Sequence, residues 1–278
     1  MIRIQNLNKS YKSTRALRDV SLYVNRAELF AFLGPNGAGK TTAIRILTGL
    51  TRMDSGSVYL NGFNVENPGT ETRRQCGLVP QSINLDRELS VFENLDIHGR
   101  FFRMNRQKRM RKIDELLDYV ELSGRRKTLV KNLSGGMKRR LMIARALLHS
   151  PAILFLDEPS VGLDAGMRRK IWALIKKIQQ RGTTVFLTTH YIEEAQFLAD
   201  RVAFMDKGSI VVVDTPENLI KQQGRWALDC LREDHMETLY FNNRKDANDY
   251  IAARHHSFTL RRVNLEDSFL ALTGKKVK

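Results

Sequence analysis

Two short stretches carry residue types that could handle a phosphate chain. Gly34, Pro35, Asn36, Gly37, Ala38, Gly39, Lys40, Thr41 and Thr42 satisfy the spacing G-x-x-x-x-G-K-[ST] in full. Glycines there let the backbone curl until several N–H groups face one anion. A helix starting at the lysine adds the partial positive charge of its N-terminus. Lys40 can then reach the β- and γ-phosphates, the Thr41 hydroxyl can ligate Mg²⁺, and Thr42 can add a phosphate contact. The second stretch is a continuous apolar run, residues 152–156, that ends in Asp157, Glu158 and Pro159. Mg²⁺ favours hard oxygen ligands, so Asp157 suits the metal side of such a site. Glu158 suits polarising an attacking water as a general base. Many nucleotide hydrolases carry this combination.

Both stretches need a frame that brings strand ends together. The apolar pattern alternates between short strand-like and longer helical runs. Strands are predicted at 2–7, 21–24, 29–33, 57–60, 77–79, 152–156, 184–188, 201–205 and 209–213. Helices are predicted at 41–49, 91–103, 106–121, 134–148, 165–180, 192–199 and 217–222. Strands separated by helices indicate an α/β fold with a largely parallel sheet. Residues 91–148 read as a helical insertion into it. After residue 222 the pattern changes to strands at 226–231, 237–241 and 258–262, a helix near 247–253 and a last helix at 265–272. That is a small α+β appendage.

A third motif narrows the choice. Leu133-Ser134-Gly135-Gly136-Met137 lies between the phosphate loop and the acidic strand end, and continues as Lys138-Arg139-Arg140. Here the chain resembles the ATP-binding cassette (ABC) ATPases, whose signature is L-S-G-G-Q/M. The resemblance covers residues 1–222. It implies a P-loop cassette with a RecA-like α/β core, an N-terminal antiparallel β subdomain and an inserted helical subdomain at about 91–148. Residues 223–278 form the appended α+β domain. It also implies ATP and Mg²⁺ as ligands and assigns further residues. Tyr11 stacks on adenine, Gln81 contacts Mg²⁺ and water and senses a membrane partner, and His190 contacts the γ-phosphate. Asp164, in Val161-Gly162-Leu163-Asp164, belongs to a loop crossing a dimer interface. Ser134, Gly135 and Gly136 close over the ATP of a second subunit, so that two ATP molecules are sandwiched head to tail. Ser160 departs from the frequent threonine. No catalytic position is degenerate, and an active ATPase is expected.

Composition constrains what such an ATPase could drive. The 278 residues are 42% hydrophobic and contain two cysteines, Cys76 and Cys230. A disulfide framework is excluded, and a reducing cytosol fits. No apolar run approaches the ~18–20 residues of a membrane helix, and the N-terminus does not read as a signal peptide. A transporter would therefore need a separate permease subunit, with this chain at the cytoplasmic face of the cell membrane as a homodimer or a heterodimer. Residues 81–95, the Thr215-Pro216-Glu217-Asn218-Leu219 segment and the tail 265–274 resemble drug, polysaccharide and sodium exporter ATPases. The alternatives are an importer ATPase and a non-transport cassette acting on nucleic acid or the ribosome. The latter usually carries two cassettes or a long inserted coiled coil, and neither pattern is present. The appended domain reads equally as a dimerisation element or as a stabilising cap.

The formal charge is +16. Residues 98–140 hold 14 Lys or Arg and 4 Asp or Glu, a net +10. Arg100, Arg103, Arg106, Lys108, Arg109, Arg111 and Lys112 follow one another with no acid among them. In the family this subdomain lies nearest the membrane subunit. The run reads equally as a solvated helix face or as a contact with anionic lipid, to which basic clusters near a bilayer are attracted.

Overall fold

The structure, a computed structural model, describes residues 1–66, 70–232, 235–253 and 257–274. The chain opens with β1 (Ile2–Tyr11), β2 (Thr14–Val24), β3 (Leu29–Leu33), α1 (Lys40–Leu47), β4 (Ser55–Leu60), β5 (Phe63–Asn64), α2 (Thr70–Gln75) and β6 (Cys76–Val79). A helical stretch follows, with α3 (Val91–Phe101), α4 (Arg106–Tyr119) and α5 (Gly135–Leu147). Then come β7 (Ile153–Asp157), α6 (Ala165–Gln180), β8 (Thr184–Thr189), α7 (Ile192–Leu198), β9 (Arg201–Asp206), β10 (Ser209–Asp214) and α8 (Pro216–Gln223). The last elements are β11 (Trp226–Arg232), β12 (His235–Phe241), α9 (Arg244–Ala252), β13 (Phe258–Arg262) and α10 (Leu265–Thr273).

These form three sheets. A four-stranded antiparallel sheet has the order β2-β1-β4-β5, and a six-stranded sheet the order β10-β9-β3-β8-β7-β6. In the latter β9, β3, β8, β7 and β6 run parallel and only β10 is antiparallel. A three-stranded antiparallel sheet, β12-β11-β13, belongs to the C-terminal part. Strand β3 shows why the parallel sheet reads as unbroken apolar sequence: it is buried on both faces. Leu29, Ala31 and Leu33 point into one core, shared with the helical insertion, α6 and α7. Phe30 and Phe32 point into the other, against the antiparallel sheet and α1. There Phe32 meets Phe186 edge-on at 4.9 Å, and Phe30 stacks on Phe186 at 5.7 Å.

The structure lengthens two elements that sequence periodicity shortens. β1 and β2 pair as far as Tyr11 and Thr14, through register shifts. Asn6 and Asp19 sit at positive φ, 48° and 49°, and their side chains bond to each other at 2.7 Å. Such bulges break strict alternation, so Leu7 and Leu17 fall out of phase with a simple strand pattern. The helix α2 and the two-residue β5 also escape the pattern, because neither carries an apolar face of useful length.

The predicted helical insertion spans α3 to α5, with two short 3₁₀ turns between α4 and α5. It forms the crossover between the adjacent parallel strands β6 and β7. The C-terminal part is tied to the α/β core by α10. Leu265 and Phe269 are fully buried in the same core as Leu198, Phe204 and Leu219. Ser268 donates to the Leu219 carbonyl at 2.9 Å, and Leu265 N–H donates to Gln196 at 3.0 Å. Phe269→Ala is therefore expected to lower the unfolding free energy by about 3–5 kcal/mol, the range for emptying a buried phenyl site. An unchanged urea midpoint would show that α10 does not seal this core.

Candidate functional site

The parallel sheet sets the site. The loops that follow β3, β8, β7 and β6, four neighbours in the sheet, all leave from the same C-terminal edge. Open α/β sheets collect ligands there. Residues 34–39 leave β3 and turn directly into α1, whose N-cap is Gly39 at φ 104°. A Cβ on Gly39 would strike the Ala16 carbonyl, and one on Gly34 the Met205 carbonyl. The loop is thus pinned between β2 and β9, with room for nothing but hydrogen at those points. Gly208 supports it from outside, donating to the Ala38 carbonyl at 3.1 Å.

Lys40 is 4% exposed. Its Nζ donates to the Gly34 carbonyl at 2.8 Å and the Pro35 carbonyl at 3.1 Å, and lies 3.6 Å from Glu158 Oε1. Burial pulls the Lys40 pKa below the usual lysine range, and Glu158 opposes that shift. Thr41 donates to Asp157 Oδ1 at 3.2 Å, and Thr188 donates to the same oxygen at 2.6 Å. Glu158 adopts φ +50°, unusual for this residue type. Its N–H is held by the Thr188 carbonyl at 3.0 Å. Its Oε2 accepts from Gln81 Nε2 at 3.2 Å and faces His190 Nδ1 at 3.0 Å. Strain of this kind is found where a side chain must be aimed.

Asn36, Gly37, Gly39, Lys40, Thr41, Thr42, Gln81 and Glu158 all line one cavity of about 570 Å³. Asp157 and His190 join it through Thr41 and Glu158. Sequence reasoning missed the cationic wall opposite: Arg15, Arg18 and Lys207, with Thr14 and Ala16, complete the lining. Three cations there raise the local potential for a polyphosphate. No motif marks them, because a hairpin carries two of them in from upstream and a β-turn brings the third from beyond β9.

The remaining predicted residues lie elsewhere. Tyr11 is 44% exposed at the end of β1, next to the turn that leads to Thr14. It is not among the lining residues. Ser134 is the N-cap of α5 and accepts from Met137 N–H at 3.3 Å. Ser134 and Gly135 are exposed. Gly136 faces the Met167 side chain. Asp164 caps α6 by accepting from Met167 N–H at 2.8 Å. Ser134, Gly135, Gly136 and Asp164 therefore form a second cluster around the start of α6, and none of them lines the phosphate-loop cavity.

The donor set fits Mg²⁺ and a nucleotide. A threonine hydroxyl and a carboxylate stand together as hard oxygens, beside a backbone loop whose glycines leave no room for Cβ atoms. Fold and site together define a P-loop nucleotide-hydrolase cassette. Similarity to known proteins carries this further. Residues 17–161 match the ABC transporter family. The whole chain is 38% identical to the Nod factor export ATP-binding protein I of Cupriavidus pinatubonensis, covering 92% of it. Over 81% of the chain it is 36% identical to the linearmycin resistance ATP-binding protein LnrL of Bacillus subtilis, covering 72% of that protein. Among solved structures it resembles the dimeric ATP-binding cassette MJ0796 in a post-hydrolysis state bound to ADP and Pi. The match has 30% identity and a TM-score of 0.70, over 77% of this chain and 98% of that one. The chain belongs to the ABC transporter family, as an ATP-binding subunit with ATPase activity.

Proposed function

We propose that the chain binds ATP with Mg²⁺, pairs head to tail with a second cassette and drives export through a separate permease at the cytoplasmic face of the membrane. The observation that carries the reading is the convergence of Lys40, Gln81 and His190 on the Glu158 carboxylate at the mouth of the phosphate loop. The loop N–H groups and Lys40 hold the β- and γ-phosphates. Glu158 Oε2 takes the proton of a water as its oxygen attacks the γ-phosphorus. The bond from that phosphorus to the β,γ-bridging oxygen breaks, and ADP and phosphate leave. Gln81 and His190 hold the Glu158 carboxylate and the water in place. Mg²⁺, held by Thr41 and Asp157 with Gln81 nearby, would neutralise charge on the phosphate oxygens. Tyr11 supplies a face for adenine at the hairpin end.

The dimer reading draws support from the separation of the two clusters. Ser134–Gly136 offer a helix N-terminus on a surface that does not touch the chain's own cavity. Such a terminus suits the γ-phosphate of a partner's ATP, with Asp164 at the same contact. MJ0796 was solved as a dimer. Export is supported by the Nod factor relative, which is named for it, and by the exporter-like tail.

Among the described residues no helix is long and apolar enough to cross a membrane; the permease of this reading is a second polypeptide. The basic insertion supplies a lipid-facing surface, narrower than the sequence implies. Arg109 is buried and bonds Asp96 at 2.5 Å and the Met104 carbonyl at 2.8 Å. Arg100 also pairs with Asp96, and Lys112 with Glu115. Arg103, Arg106, Lys108 and Arg111 are exposed and are left to meet anionic headgroups. Affinity capture from detergent-solubilised membranes should recover a multi-helix permease. The pair, reconstituted in anionic vesicles, should couple ATP hydrolysis to efflux. Neutralising these four residues should weaken vesicle binding by about 1 kcal/mol per charge. Recovery of a secreted solute-binding protein with the complex would replace export by import. Equal binding of the neutralised variant to anionic vesicles would remove the lipid contact.

A further inference from the structure

Arg139 lies on α5, three residues beyond Gly136, and is 5% exposed. Its Nη1 donates to the Pro80 carbonyl at 2.9 Å and its Nη2 to the Gln81 carbonyl at 3.0 Å. Among the described residues it forms no salt bridge. A buried guanidinium is costly unless its donors are met, and here a planar fork meets two successive carbonyls. A lysine ammonium can also meet two carbonyls, but from one rotatable nitrogen, without the fixed planar spacing of the guanidinium fork. The two carbonyls belong to the segment leaving β6. The Gln81 side chain of that segment reaches Glu158. One rigid link therefore runs from Glu158 through Gln81 and Arg139 into α5. The first turn of α5 holds Ser134, Gly135 and Gly136.

We propose that Arg139 is a positioning residue that couples the two nucleotide sites of the dimer. It makes the placement of α5, which addresses the partner's ATP, depend on the placement of Gln81, which addresses the chain's own. The inference rests on the head-to-tail reading above. The physical reason is rigidity: a fork bonded to two carbonyls holds one register between α5 and the Gln81 segment, so a displacement of either carries the other with it. A cassette that has bound its own nucleotide then presents Ser134–Gly136 correctly, and one that has not does not.

The test compares Glu158→Gln with Glu158→Gln/Arg139→Met in the full chain, by size-exclusion chromatography across Mg-ATP concentrations. The ATP midpoint for dimer formation should rise about tenfold in the double variant. The affinity of the monomer for a fluorescent ATP analogue, measured below that midpoint, should stay unchanged. With Glu158 intact, Arg139→Met should lower the Hill coefficient for ATP hydrolysis from ~2 towards ~1. Arg139→Lys, which keeps the buried charge without the fork, should fall between the two, and it carries the same comparison if the methionine variant does not fold. Equal midpoints and equal Hill coefficients, with dimers present, would overturn the coupling role and leave the dimer standing. Failure of Glu158→Gln itself to dimerise in ATP would overturn the head-to-tail reading and the coupling with it.

Discussion

Glu158→Gln is expected to bind ATP, to lose about 10³-fold in turnover and to accumulate as an ATP-bound dimer. The carboxylate that would accept the water's proton is gone, so the chemical step stops. Lys40 Nζ lies 3.6 Å from Glu158 Oε1, and the amide lets that cation act wholly on the nucleotide. Removing the anion also removes its repulsion of the γ-phosphate, which favours the closed state. The shape change is small, since a glutamine carbonyl can still accept from Gln81 Nε2, now 3.2 Å from Oε2. The assay pairs steady-state phosphate release with size-exclusion chromatography in Mg-ATP. Wild-type turnover in the variant would reassign the general base.

Lys40→Ala should act on binding instead. Its Nζ is the buried ammonium of the cavity lining, fixed by the Gly34 and Pro35 carbonyls. A charge-assisted contact to phosphate is worth roughly 1.5–3 kcal/mol, so ATP affinity should fall by about 10²-fold. Stability should change little. Burial works against the charged lysine and pulls its pKa down, and relief of that cost offsets the two hydrogen bonds that alanine cannot make. Calorimetric titration with ATP and a urea midpoint separate the two effects. Unaltered affinity would remove Lys40 from the phosphate site. The two variants split the mechanism: one binds without turning over, the other does neither.

The acidic strand end was legible because a strand buried on both faces must be apolar throughout, so the first carboxylates mark its exit. Asp157 is the last residue of β7, as the run 152–156 implied. The phosphate loop was legible because its glycines are required by backbone contacts that no side chain can replace. His190 and Gln81 follow from resemblance alone. No local pattern shows that two loops so far apart in the sequence both end at Glu158 Oε2. The cationic wall of Arg15, Arg18 and Lys207 had no signal at all; Arg139 was visible as part of the run that continues the signature motif, but nothing local marked it as buried. Arg109 and Arg139 belong to the charge-rich stretch that reads as surface, and both are buried.

Sequence by itself determined the type of every element with a long enough apolar face and the two phosphate-handling motifs, since these follow from local spacing: period two or 3.6 in apolar residues, and glycine where a Cβ cannot fit. Only the tertiary structure decided which of the charged side chains faces solvent, which lines the cavity and which is locked inside. Periodicity says that a residue is charged, but its partner is chosen by packing between distant elements. Asp96 takes Arg109 inward, the Pro80 and Gln81 carbonyls take Arg139, and Arg103, Arg106, Lys108 and Arg111 remain outside. The same packing places Ser134–Gly136 away from the chain's own phosphate loop. That separation supports a second cassette, and a linear reading of the residues could not supply it.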